Sequence, residues 1–335
     1  MMDEPSERKE IMANVTPEWT FGQIHDLPEF GDAADYIVPV VGEQGAQMAA
    51  APLMYFGQIG WSPEGMAEGF NRIAEICAGG EKVYYPLWTE EEAKDDPAVK
   101  ERYLIHFPVE KKTPFVLISC GGAYIGAASM IEGFPTCKEI NDLGYHVFTL
   151  NYRASANAKA PNPIEDMAIA VKYIMDHADE LNVDVENYAV GGFSAGGHLA
   201  ASFGTEINGW KKYGLPAPAA EILGYPVITM GEFTHADSRA NFLQDKADDE
   251  AMRELWSVEK QVTPAYPPSF IWQCERDNAV PIENTRMLTE ALKEAGVPVQ
   301  YVTYDSEWHG WGSGKGTLAE GWTKQAVAFW EGQMK

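Results

Sequence analysis

Ser194, Asp277 and His309 have the side-chain types of a nucleophilic relay, and each follows a run that reads as a β-strand. Ser194 is the centre of Gly192-Phe193-Ser194-Ala195-Gly196, a G-x-S-x-G pattern between the apolar, β-prone run 187–191 and the helix-like run 197–203. A sharp turn there strains the serine backbone, and the flanking glycines remove the Cβ atoms that would collide. A serine hydroxyl is a poor nucleophile at its free pKa, so it needs a base within hydrogen-bond reach and a third group to orient that base. His309, in Glu307-Trp308-His309-Gly310, follows the last expected strand and suits the base. Asp277, in Cys274-Glu275-Arg276-Asp277-Asn278, follows the strand before it and suits the orienting acid. Asp305 and Glu307 also lie near His309, but residues just before a histidine are poorly placed to reach its ring.

A tetrahedral intermediate also needs donors for its oxyanion. Cys120-Gly121-Gly122-Ala123-Tyr124 follows the strand-like run 115–119, where glycines let backbone N–H groups approach a substrate oxygen. Gly121 and Gly122 are therefore expected as donors, joined by the N–H of Ala195 at the start of the elbow helix. Tyr124, Trp256, Trp308 and Trp311 are expected as substrate-binding residues, either apolar walls or stacking platforms, with core packing an equal explanation for some of them.

These residues need a scaffold that brings strand ends together. From Arg102 onward strand-like and helix-like runs alternate: strands at 103–109, 115–119, 145–151, 220–228, 269–274 and 299–304, with helices at 131–143, from Pro163, at 282–295 and at the end. Such alternation predicts an α/β fold, a mostly parallel sheet with helices on both faces, because parallel strands need crossover connections. Residues 101–335 are expected to form this domain. A polar stretch over about 230–268 reads as an insertion over the carboxyl ends of the strands, where open α/β sheets bind ligands. Residues 1–100 differ in character and are expected to form an N-terminal extension, a lid or accessory layer. Within them Ser62 reads as an N-cap, with Met66, Phe70, Ile73 and Ile76 at helical spacing behind it.

Composition sets bounds on partners. The 335 residues are 45% hydrophobic and 22% charged with a formal net charge of -25, which disfavours nucleic acid and anionic lipid as partners. No apolar run approaches the roughly 18 residues of a membrane span. The first ten residues are charged and lack the apolar core of a secretory signal, so a cytoplasmic location is expected. Cys77, Cys120, Cys137 and Cys274 form no CxxC pair and read as reduced thiols. The remaining histidines, His25, His106, His146, His177, His198 and His235, show no zinc-binding spacing, and His198 on the elbow helix reads as a core histidine. No metal or cofactor is expected.

Taken together the chain resembles the α/β-hydrolase superfamily, and within it the serine esterases of the hormone-sensitive-lipase and acetyl-esterase type. The matching segments are Cys120-Gly121-Gly122-Ala123-Tyr124, then Leu150-Asn151-Tyr152-Arg153 with Pro161-Asn162-Pro163-Ile164-Glu165-Asp166, and the elbow around Ser194; the likeness runs from about Tyr103 to Trp330. The resemblance implies hydrolysis of small-molecule carboxylic esters through an acyl-enzyme without a cofactor, with short acyl groups and sugar acetates as recurrent substrates. A serine peptidase or amidase on the same fold is the alternative. Cys120 departs from the histidine common at that position, and Ala123 from the last glycine. Arg153 and Asp166 read as a structural charge pair.

Overall fold

A computed structural model of the protein describes residues 14–40 and 42–335; the charged opening stretch lies outside the described residues. Eight strands form one sheet: β1 Tyr84–Pro86, β2 Tyr103–Phe107, β3 Thr113–Ser119, β4 His146–Asn151, β5 Val183–Phe193, β6 Ala220–Gly224, β7 Ser269–Cys274 and β8 Val299–Tyr304. Their spatial order is β1-β2-β4-β3-β5-β6-β7-β8. Strands β3 to β8 run parallel, and β1 and β2 close one edge in antiparallel pairing. The first strand comes from the N-terminal hundred residues, where the alternating pattern was not visible. β6 is shorter than the 220–228 run suggests, because Tyr225 adopts φ 37° and turns the chain out of the sheet.

The central strands bury both faces, as apolar runs such as Phe115-Val116-Leu117-Ile118 require. On one face lie the helices Asn162–Asp176, Ser194–Phe203 and Glu283–Glu294, with Phe242, Leu243 and Trp256 of the 230–268 insertion. On the other lie Phe134–Asp142 and Trp322–Glu331. The N-terminal residues add a layer outside this second face. Its main helix, Pro63–Ala78, starts as expected, with the Ser62 hydroxyl accepting the Gly65 N–H at 3.1 Å. Met66, Phe70 and Ile73 point inward, and Phe70 packs edge-on to Phe134 with ring centroids 5.6 Å apart. Each such fully buried side chain contributes about 1.5–3 kcal/mol relative to exposure. Gly69 lets the two helices touch, since a Cβ there would come within 2.8 Å of the Phe134 backbone.

A buried ion pair ties the sheet to its helices. Arg153, just beyond β4, donates from its backbone N–H and its guanidinium to Asp166 at 2.8 and 2.9 Å, with both side chains almost wholly enclosed. The pair is structural, and removing one partner would strand a buried charge. The four cysteines are unpaired. Among the described residues no helix is long and apolar enough to cross a membrane.

Candidate active site

The carboxyl ends of β5, β7 and β8 bring Ser194, Asp277 and His309 together. Ser194 takes φ 51°, a left-handed conformation costly for a residue with a Cβ, between β5 and the helix Ser194–Phe203. Its neighbours leave no room for side chains: a Cβ on Gly192 would lie 2.2 Å from the Gly196 carbonyl oxygen, and one on Gly196 2.3 Å from that of Cys120. The turn holds the hydroxyl 3.0 Å from His309 Nε2. His309 Nδ1 lies 2.8 Å from Asp277 Oδ2 and 3.0 Å from Oδ1. Because a carboxylate only accepts, Nδ1 carries the ring proton, and Nε2 is left to accept from the Ser194 hydroxyl.

Asp277 is fixed in turn. Its Oδ1 accepts the N–H groups of Ala279 and Val280, both at 2.9 Å, and its side chain is fully enclosed. Backbone bonds from Arg276 to Ser306 and from Asn278 to Glu307 lace the aspartate loop to the histidine loop. Asp305, four residues before His309, faces outward and pairs with Arg276.

The loop after β3 departs from expectation at one of its glycines. Gly121 does not offer its N–H to a substrate: that group donates to Glu132 Oε2 at 2.5 Å. A Cβ on Gly121 would sit 2.8 Å from that of Ser194, so the residue lies against the nucleophile, and its donor is turned the other way. The N–H groups of Gly122, Ala123 and Ala195 make no hydrogen bond among the described residues. Gly122 takes φ 123°, which only glycine adopts easily, and a Cβ there would meet the Gly126 carbonyl at 2.4 Å.

The expected substrate aromatics divide into two pairs. Tyr124 and Trp256 are buried and are not cleft walls. Tyr124 stacks on Phe242 at 4.8 Å and Trp256 meets the same ring edge-on at 5.0 Å, because the insertion folds down and covers both. The Tyr124 hydroxyl donates to His198 Nδ1 at 2.7 Å, and His198 Nε2–H donates to the Trp256 carbonyl at 2.8 Å. Burial pushes the His198 pKa down to about 4, so this imidazole is neutral and structural. Asn241 of the insertion donates to the Ala123 carbonyl at 2.8 Å, pinning the insertion onto the glycine loop. Trp308 is 41% exposed and, with the almost buried Trp311, lines a groove of about 740 Å³ beside the His309 loop. Trp61 and Gly60 of the N-terminal layer also line it; Gly60 packs against the Trp308 ring, and Trp61 covers Gly310, where a Cβ would come within 2.5 Å of its ring.

Cys120 points into the core, close to Gly133 and Thr149, and its carbonyl accepts the Tyr152 hydroxyl at 2.7 Å. Sequence reasoning missed Glu132 and Tyr225, which stand behind the glycine loop. The signal for Glu132 was an acid within Met130-Ile131-Glu132-Gly133-Phe134, an otherwise apolar run. Burial pushes its pKa up to about 7, against the opposing pull of Gly121 N–H, the Tyr225 hydroxyl and nearby His309. A second hollow, about 570 Å³ and lined by Arg72, His106 and His146 among others, contains none of the residues expected at the site.

The sequence model of the BD-FAE family matches residues 105–292, more than half of the chain. Endo-1,4-beta-xylanase B of Butyrivibrio fibrisolvens is 33% identical over 221 residues, and an acetylxylan esterase of Xylanibacter ruminicola is 30% identical over 198. These alignments take in 63% and 58% of this chain but only 34% and 40% of those relatives' lengths. Among solved structures, the acetyl ester-xyloside bifunctional hydrolase from Caldicellulosiruptor lactoaceticus is 31% identical with a TM-score of 0.67, over 75% of this chain and 97% of that one. The matched region runs from β2 to the helix Glu283–Glu294 and includes the glycine loop, the serine elbow and Asp277. The chain therefore belongs to the BD-FAE family and has the α/β-hydrolase fold.

Proposed function

We propose that the protein is a carboxylic ester hydrolase that works through an acyl-enzyme on Ser194. The observation that carries this reading is the unbroken relay from the Ser194 hydroxyl through His309 to the enclosed Asp277, at 3.0 and 2.8 Å. The Ser194 oxygen attacks the ester carbonyl carbon as its proton passes to His309 Nε2, and Asp277 stabilises the imidazolium that forms. The developing oxyanion is received by the N–H groups of Gly122 and Ala195, with that of Ala123 also unengaged. Collapse breaks the bond to the alcohol, which leaves with the proton from His309. Water then attacks the acyl carbon by the same route, releases the acid and restores the serine.

The groove beside the His309 loop and the relatives together support a reading of the substrate class. Relatives named for acetylxylan and for acetyl ester-xyloside hydrolysis favour short acyl esters of sugars, and the exposed face of Trp308 suits a pyranose ring. The described residues before 101 act in this reading as an accessory layer, of which residues from Gly57 to Glu64 supply part of the groove's lining. A panel of acetylated sugars, hydroxycinnamate esters, graded p-nitrophenyl esters and matched amides tests the assignment, together with fluorophosphonate labelling. Labelling that disappears in Ser194→Ala, with fastest turnover on acetyl esters, is the expected result. Amide cleavage at a comparable rate would move the assignment to a peptidase or amidase.

A further inference from the structure

Glu132 lies on the single π-type turn Ser129–Gly133 with 2% of its surface exposed. A carboxylate is costly to bury without a cation beside it, and both Glu132 oxygens are instead occupied by neutral donors. Oε2 accepts the Gly121 N–H at 2.5 Å, and Oε1 accepts the Tyr225 hydroxyl at 3.0 Å. The Tyr225 oxygen accepts the Gly312 N–H, also at 3.0 Å. The Tyr225 ring stands edge-on to the His309 imidazole, with centroids 4.9 Å apart. One carboxylate and one phenol thus join the loop after β3 to the loop after β8, passing behind the nucleophile.

The join has mechanical consequences. Gly121 is wedged between Ser194 and Glu132: a Cβ there would lie 2.8 Å from Ser194 Cβ and 3.0 Å from Glu132 Oε2. Tethering its N–H to Glu132 sets the peptide plane that leads into Gly122. On the far side, tethering the Gly312 N–H holds the segment that follows His309. Misplacement of a donor by even 1 Å costs much of its value, because the oxyanion must be met at hydrogen-bond distance as it forms.

We propose that Glu132, acting through Tyr225, is a positioning residue that keeps the oxyanion loop in register with His309. Donors and general base are thereby aligned on one tetrahedral centre. This inference rests on the ester-hydrolase reading above, and Glu132 itself never touches the ester. Glutamine in its place keeps an acceptor for Gly121 but turns an N–H₂ toward the Tyr225 oxygen, which leaves the phenol proton without its acceptor. Tyr225→Phe keeps the ring against His309 and removes both bonds of the hydroxyl.

The test is steady-state hydrolysis of p-nitrophenyl acetate by the full chain as wild type, Glu132→Gln, Tyr225→Phe and the double variant. Rates are normalised to active sites titrated with a fluorophosphonate, and melting temperatures are measured alongside. The expected result is a kcat per titrated site about 10- to 100-fold lower in each single variant, with KM within about twofold. The double variant should fall no more than about threefold below the worse single one, because both residues act in one chain of bonds. Wild-type kcat per titrated site in both single variants, whatever their melting temperatures, would overturn the proposal. So would losses that multiply in the double variant. A wild-type protein that neither hydrolyses esters nor takes the label overturns the ester-hydrolase reading and this inference with it, whereas a failure of this inference alone appears only in the variants.

Discussion

The loops after β5, β7 and β8 and the loop after β3 serve the same cleft but are built differently. Ser194, Asp277 and His309 each sit within a few residues of the strand that delivers them, and their bonds run mainly to one another and to adjacent backbone. The glycine loop depends on side chains outside it, from Glu132 eleven residues from Gly121 to Asn241 in the insertion. Glu132 holds Gly121, Tyr152 holds the Cys120 carbonyl, Asn241 holds that of Ala123, and His198 holds the Tyr124 hydroxyl. One region is positioned by strand ends and the other by a shell of buried polar side chains. The proposed relay is therefore placed locally, while the proposed oxyanion loop is a property of the tertiary structure.

Disabling the first region has the largest expected effect. His309→Ala should lower kcat/KM by about 10⁴-fold or more without loss of fold, and Asp277→Asn by a similar factor through the wrong tautomer. A loss under tenfold in p-nitrophenyl acetate assays would remove the relay from the mechanism.

The shell behind the glycine loop should show itself in stability. His198 has a folded pKa of about 4, below its ordinary 6.5, so the unfolded chain takes up the proton first and stability falls as pH drops from 6.5 toward 4. Across that window the His198 contribution alone amounts to a loss of about 3 kcal/mol, at 1.36 kcal/mol per pKa unit. His198→Gln lacks this dependence, so its stability deficit at pH 7.5 should shrink toward pH 4 when both proteins are unfolded in urea. A constant deficit would break the link. Glu132 has the opposite sign: its raised pKa favours the folded state below about 7, and it titrates identically in both proteins.

Gly122→Ala comes next. Its φ of 123° and the 2.4 Å approach to Gly126 force the loop to move, with an expected loss of about 100-fold in kcat, a factor typical of losing an oxyanion donor. Unchanged kcat there would mean that the loop does not receive the oxyanion. The smallest effect belongs to Trp308→Ala on the rim: KM for an acetylated sugar should rise about 3- to 10-fold, matching a stacking contact of about 0.5–1.5 kcal/mol, while p-nitrophenyl acetate is turned over as before. Equal changes on both substrates would take Trp308 out of sugar binding.

Much of this architecture is written locally. The alternating runs after Arg102 place six parallel strands and their helices, and Ser62 marks the start of an N-terminal helix, because periodicity and capping are encoded by adjacent residues. The same holds for the elbow and for the order Ser194, Asp277, His309. The β1 edge strand, only three residues long, was invisible, since its pairing with β2 and not its composition makes it a strand. The direction of the Gly121 N–H, the burial of Tyr124 and Trp256 and the bonds of Glu132 behind the loop were equally out of reach. Each depends on which side chain from outside a loop occupies the space behind it: Glu132 takes the Gly121 donor, and Phe242 of the insertion covers both aromatic rings. The amino-acid sequence by itself singled out the groups proposed to perform chemistry and the strands that carry them. Only the tertiary structure decided which backbone donors remain open and which aromatic faces meet solvent, because a hydrogen bond or a buried surface belongs to two partners and a linear pattern names only one.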